Sequence, residues 1–229
     1  MITGHAIAGG VQQVLTGALN LEILYTIVII FCSLLIYIST KKFYQLTGHQ
    51  GIKYFRQAFL FFSIAYFIRI SIKFIFSCYN LARLLDIPIR TLGIASLLLF
   101  MYFSTMAIFY LFYSATWKQL GTKKIFFFHA IAIAISLAVT LIPTTGFYML
   151  INLALLVLLI ATLIIAKLKS NKKSNIYITY PLIAIFWVLN IVDILVPNFV
   201  KDFQLIVYSL SAILFIIILY KVTKQIGAN

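Results

Sequence analysis

Seven times along this chain an apolar run continues for about 20 residues. That is the length of helix needed to cross a hydrocarbon layer of about 30 Å at a rise of about 1.5 Å per residue. The runs lie at about 22–40, 55–79, 91–116, 124–143, 146–167, 176–196 and 203–221. They are continuous rather than alternating. This selects helices over a barrel, because lipid offers no partner to an unpaired backbone group. Composition points the same way: 64% of the 229 residues are apolar and 10% are charged, against about a quarter charged in soluble domains. The expected fold is an all-α integral membrane protein of seven transmembrane helices.

Proline and glycine respect these limits. Pro88, Pro143, Pro181 and Pro197 fall in connections or within a turn of a span end, and of the glycines only Gly93 and Gly146 lie inside a span, each in its first turn. The helix interiors are unbroken, as they must be where no water can satisfy a freed backbone group.

The formal charge of +14 sets the orientation. Lys41, Lys42, Lys53, Arg56, Lys118, Lys123, Lys124, Lys167, Lys169, Lys172, Lys173, Lys221 and Lys224 fall on one side of the layer, and Arg83, Arg90 and Lys201 on the other. Cytoplasmic loops retain Lys and Arg, so an odd number of spans places the N-terminus outside and the C-terminus in the cytoplasm of a multi-pass cell-membrane protein. The cations suit anionic lipid rather than nucleic acid, since no basic segment is long enough to form a dedicated site. Membrane lipids, a second copy of the chain or a partner membrane protein are the expected partners.

The connections are short, so no soluble domain is expected within 22–221, and 222–229 forms a short tail. Residues 1–21 lack a basic n-region and a compact apolar core, which argues against a cleavable signal. With Ile7, Val11, Val14, Leu15 and Ala18 at helical spacing, this segment reads either as an amphipathic surface helix or as a tail. Cys32 and Cys78 fall at different depths, which disfavours a disulfide.

Charges inside a span are costly, at about 2.5–3.5 kcal/mol near its centre, so each needs a partner or a purpose. The second span carries Tyr66, Arg69 and Lys73 on one face; the sixth carries Trp187, Asn190 and Asp193 a turn apart. Both spans run outward, which sets Arg69 and Asp193 at one depth in the outer half of the layer. We expect them to pair, with Lys73 nearer the surface and Asn152 of the fifth span within reach. Two cations against one acid would leave a pocket suited to an anionic or lipidic ligand. A purely structural ion pair is the other reading of these residues.

Tyr102, Met106, Phe109 and Tyr113, with Phe55, Phe59, Phe62 and Tyr66, form stripes that either line a channel for an acyl or isoprenoid chain or pack the core. Ala130, Ala134 and Ala138 present a smooth face for close helix approach. His5, His49 and His129 do not converge with cysteines or acids, so neither a metal site nor another cofactor is expected. Four acids (Glu22, Asp86, Asp193 and Asp202) leave little for hydrolytic or transfer chemistry, and no enzyme is expected. The seventh span has no lysine between Phe203 and Tyr220, and the third has no acid, which excludes a retinal pigment.

Gly51–Ile70, GIKYFRQAFLFFSIAYFIRI, is a basic-aromatic entry into a span followed by an inner Tyr and Arg. It resembles the second helix of small seven-helix prokaryotic sensor modules, including uncharacterised archaeal membrane proteins. The resemblance implies a receptor- or sensor-like module with an outward pocket. Two other classes remain open on the residues: a structural or assembly subunit, and a small transporter or channel. The last finds neither an internal repeat nor a broken helix in support.

Overall fold

The computed structural model describes residues 3–77, 89–120, 124–168, 179–195 and 201–227, and side chains within 22–71, 91–120, 124–168, 179–195 and 203–224. Among these residues the chain is all-helical. Seven helices follow one another: α1 (Thr3–Thr47), α2 (Gln50–Ser77), α3 (Ile89–Leu120), α4 (Ile125–Leu141), α5 (Thr145–Leu168), α6 (Thr179–Leu195) and α7 (Lys201–Gly227). Most overrun the apolar runs that seed them, because a helix does not have to stop where hydrocarbon does. Four contain stretches long and apolar enough to cross a membrane: Glu22–Thr47, Thr91–Leu120, Thr145–Leu168 and Phe203–Lys224. α2 has the length but carries Lys53, Arg56, Arg69 and Lys73. α4 and α6, at 17 residues each, span about 26 Å at the usual rise.

Residues 3–21, expected as a surface helix or a tail, are the opening turns of α1, continuous with its apolar part. At its other end α1 turns back sharply. Gly48 takes φ 62°, a left-handed conformation that costs glycine little, and its N–H donates to the Tyr44 carbonyl at 2.8 Å. Two residues then suffice to make α1 and α2 neighbours.

Six helices close a ring in the order α1, α2, α3, α5, α6, α7 and back to α1; α4 lies outside it, against α3. Period explains which residues point inward. On α1 Tyr25, Ile29, Cys32 and Ile36 are buried, and on α5 Asn152, Leu155, Leu159, Thr162 and Ala166, each set at three- and four-residue spacing. α3 touches α2, α4 and α5, so Ser104 to Phe109 are buried without a break. At the centre Phe62, Phe186 and Phe215 are sealed, with the Phe186 and Phe215 rings at 4.6 Å and near-perpendicular. The exterior is apolar too: Phe31 on α1 and Val157 on α5 are more than half exposed. Such a surface suits lipid.

One expectation changes here, and one pair of alternatives is narrowed. The small-residue face of α4 is not its packing face, because Ala132, Ser136 and Val139 are buried while Ala130 and Ala134 are exposed. Larger anchors decide the rotation of α4. Phe128 packs on Phe109, and His129 bridges two tyrosines of α3, with Tyr102 Oη 2.8 Å from Nδ1 and Tyr110 Oη 3.2 Å from Nε2. The aromatic stripes, in turn, line no channel. Phe55, Phe59 and Phe62 fill the main core, while Met106 and Phe109 pack against Ala132 of α4. Cys32 is buried and free, and Cys78 lies outside the described residues.

Candidate functional site

The end of the bundle formed by the late turns of α2 and α6 and the early turns of α3 and α5 encloses a cavity of about 360 Å³. Arg69 and Tyr66 reach it from α2, Asn190 and Asp193 from α6, Asn152 from α5, and Ser96 from α3. Leu97, Phe100, Tyr148, Trp187 and Ile194 supply the apolar part of the wall. The volume lies within the range usual for small-molecule sites, which pair apolar walls with a few fixed polar groups.

Helical spacing explains the convergence. Tyr66 and Arg69 are three residues apart on α2, as are Trp187, Asn190 and Asp193 in succession on α6, so each trio or pair shares a face. Hydrogen bonds then lock the faces together. Tyr25 Oη of α1 donates to Tyr66 Oη at 3.2 Å, and Tyr66 Oη donates to Asn190 Oδ1 at 2.8 Å, a chain linking three helices. The Asn190 amide spends a proton on the Phe186 carbonyl of its own helix. Trp187 Nε1 donates to the Asn152 carbonyl at 3.1 Å, tying α6 to α5. Tyr25 also stacks on Tyr208 of α7 at 4.8 Å.

Arg69 meets Asp193, at 3.5 Å from Nη2 to Oδ2, but this is its longer ion pair. The shorter one, 2.9 Å to Oε1, is with Glu22 of α1. Sequence reasoning missed Glu22 as a partner. The signal was present, since an acid in the first turn of the first apolar run lies at the same end of the bundle as Arg69, near the far end of the second. The expected balance of two cations to one acid therefore does not describe this site: one guanidinium lies between two carboxylates, and the Lys73 side chain lies outside the described residues. Asp193 Oδ1 is buried and makes no hydrogen bond among the described residues, although Tyr208 stands close enough to feel the Asp193 charge. Among the described residues no cluster of His, Cys, Asp or Glu could hold a metal ion.

Chemically the arrangement is a rigid polar patch at one end of an apolar hollow. It can accept and donate hydrogen bonds to a bound molecule. An anion, though, would meet Arg69 already neutralised.

Comparison with known proteins places the chain beside one uncharacterised protein of Archaeoglobus fulgidus. The two are 27% identical over 213 residues, covering 90% of this chain and 92% of that protein. No family model matches the chain. No solved structure matches it.

Proposed function

We propose that this is a seven-span, N-outside cell-membrane protein of the receptor or sensor kind, which binds an amphipathic, lipid-like molecule in the cavity between α2, α3, α5 and α6. The reading is of a binding protein rather than an enzyme. One observation carries it: five polar side chains picked out by depth and helical face, Tyr66, Arg69, Asn152, Asn190 and Asp193, converge on a single cavity whose remaining wall is largely apolar. Glu22 refines the ligand. With Arg69 engaged by two carboxylates, the hollow favours a neutral or donor-bearing headgroup over an anion, while Leu97, Phe100 and Ile194 receive the apolar body.

The test uses three probes of one chain length: decanol, decanoate and decylamine, added to the purified protein in lipid nanodiscs. Trp187 lines the cavity, so its fluorescence reports occupancy. Decanol or decylamine should perturb it saturably and decanoate weakly. Ser96→Phe, which fills the hollow from α3, should abolish the response. Equal responses in the wild type and in Ser96→Phe would remove the reading. Tags at the two chain ends, probed from outside intact cells, test the topology: only the N-terminal one should be reachable.

A further inference from the structure

Arg56, at the opposite end of α2, is a second arginine in an unusual setting. It is only 8% exposed. Its Nε donates to the backbone carbonyl of Tyr37 on α1 at 3.1 Å, an oxygen that also accepts from Thr40 Oγ1 at 3.2 Å. The guanidinium carbon lies 4.6 Å from the centre of the Tyr37 ring. The bond and the ring together fix the plane of the fork against α1.

Among the described residues no carboxylate answers it, and the ion pairs belong to Arg69, at the far end of the helix. A buried cation without a counter-charge is costly, and a guanidinium offers five donors, of which Nε uses one here. None of the Arg56 nitrogens is among the polar atoms sealed without a partner, so the Nη edge keeps an opening to the surroundings. Lys41, Lys53 and Lys118, all exposed, stand at the same end of the bundle.

We infer that Arg56, held against Tyr37, binds a phosphate oxyanion of the kind an anionic lipid headgroup presents. The fork matches two phosphate oxygens at once, and the desolvated setting strengthens both bonds. Lys41 and Lys53 raise the local anion concentration without being part of the fixed geometry. This site is independent of the cavity at the other end.

The test measures thermal unfolding of the full chain in phosphatidylcholine nanodiscs alone, with added inorganic phosphate, and with phosphatidylglycerol replacing part of the lipid. The midpoint should rise in an anion-bearing arm. A rise with phosphatidylglycerol alone assigns a lipid headgroup, and a rise with inorganic phosphate assigns the free anion. Arg56→Gln should lose the rise or need about tenfold more anion for it. Lys167→Gln, an exposed lysine at the end of α5, should keep it. Tyr37→Leu retains the charge and the backbone-carbonyl bond but removes the ring that helps to hold the plane of the fork, and should weaken the response. If Arg56→Gln does not fold, the Tyr37→Leu comparison stands in its place. No rise in the wild type, or an equal rise in the wild type and the variant compared, would overturn the inference.

Discussion

Glu22 of α1 accepts a 2.9 Å hydrogen bond from the Arg69 guanidinium of α2, across 47 residues of sequence, and leaves Asp193 of α6 as the more distant of two acids around one cation. This contact ties the middle of α1 to the late turns of α2 and α6. It sits beside the cavity rather than across it, so the ion pairs organise the wall that a bound molecule would touch.

Replacing Arg69 by Met should therefore cost more than either acid alone, because it strands two partly buried carboxylates. A loss of about 3 kcal/mol is expected. Glu22→Gln should cost more than Asp193→Asn, in keeping with the shorter bond. The triple variant, all three made neutral, should recover much of the loss. Thermal unfolding in detergent orders the series; a triple variant no better than Arg69→Met would break the network argument.

At Gly51 the backbones of α2 and α3 come close together. A Cβ there would stand 2.9 Å from the Ser114 carbonyl oxygen and 2.9 Å from the His49 ring. Backbone cannot swing aside as a side chain can, so Gly51→Ala should destabilise by about 1–3 kcal/mol. Gly146, in the first turn of α5, has nothing within 4 Å of its Cβ position. Gly146→Ala should be neutral or gain up to about 1 kcal/mol. Unfolding midpoints of the two variants should move apart.

His49 lies in the turn between α1 and α2, its ring 5.2 Å from that of Trp117. Partial desolvation, and then the nearby Lys118 charge, hold its pKa below the usual 6.5. The folded state thus prefers neutral histidine, and its contribution is complete above about pH 6.5. It is lost as the pH falls from there through the lowered folded value, because the unfolded chain takes up the proton first. Unfolding midpoints followed between neutral and mildly acid pH should fall with acidification, and His49→Gln should flatten that part of the curve.

His129 is the polar anchor of α4. Replacing it with Leu would leave the Tyr102 and Tyr110 hydroxyls without their imidazole partner, at a cost of about 1–3 kcal/mol. Because α4 is peripheral, the loss should be local. Hydrogen exchange should quicken in α4 while the α1–α2 pair keeps its protection.

Much of the helical layout was legible from residue order. Apolar runs bounded by Pro143 and the lysine clusters marked the helices, and Tyr66, Arg69, Asn190 and Asp193 were recognisable as one face each of two of them. Other features were misread because their answers lie in contacts. Ala130 and Ala134 looked like a packing face, yet Phe128 and His129 turned α4 the other way. Glu22 was counted only among the few acids, and its pairing with Arg69 follows from α1 lying beside α2. For the aromatic stripes packing was the commoner reading, and Phe62 against Phe186 and Phe215 agrees with it.

Hydropathy is a property of consecutive residues, since each one contributes its transfer free energy whatever its distant neighbours are. The sequence alone therefore determined that the chain forms long apolar helices with its positive charge concentrated in particular connections. Partner choice depends on the rotation of each helix and on the order in which the helices surround one another. Only the tertiary structure could decide that Arg69 answers two acids, that α4 stands outside the ring, and that the Arg56 guanidinium lies against Tyr37 of α1.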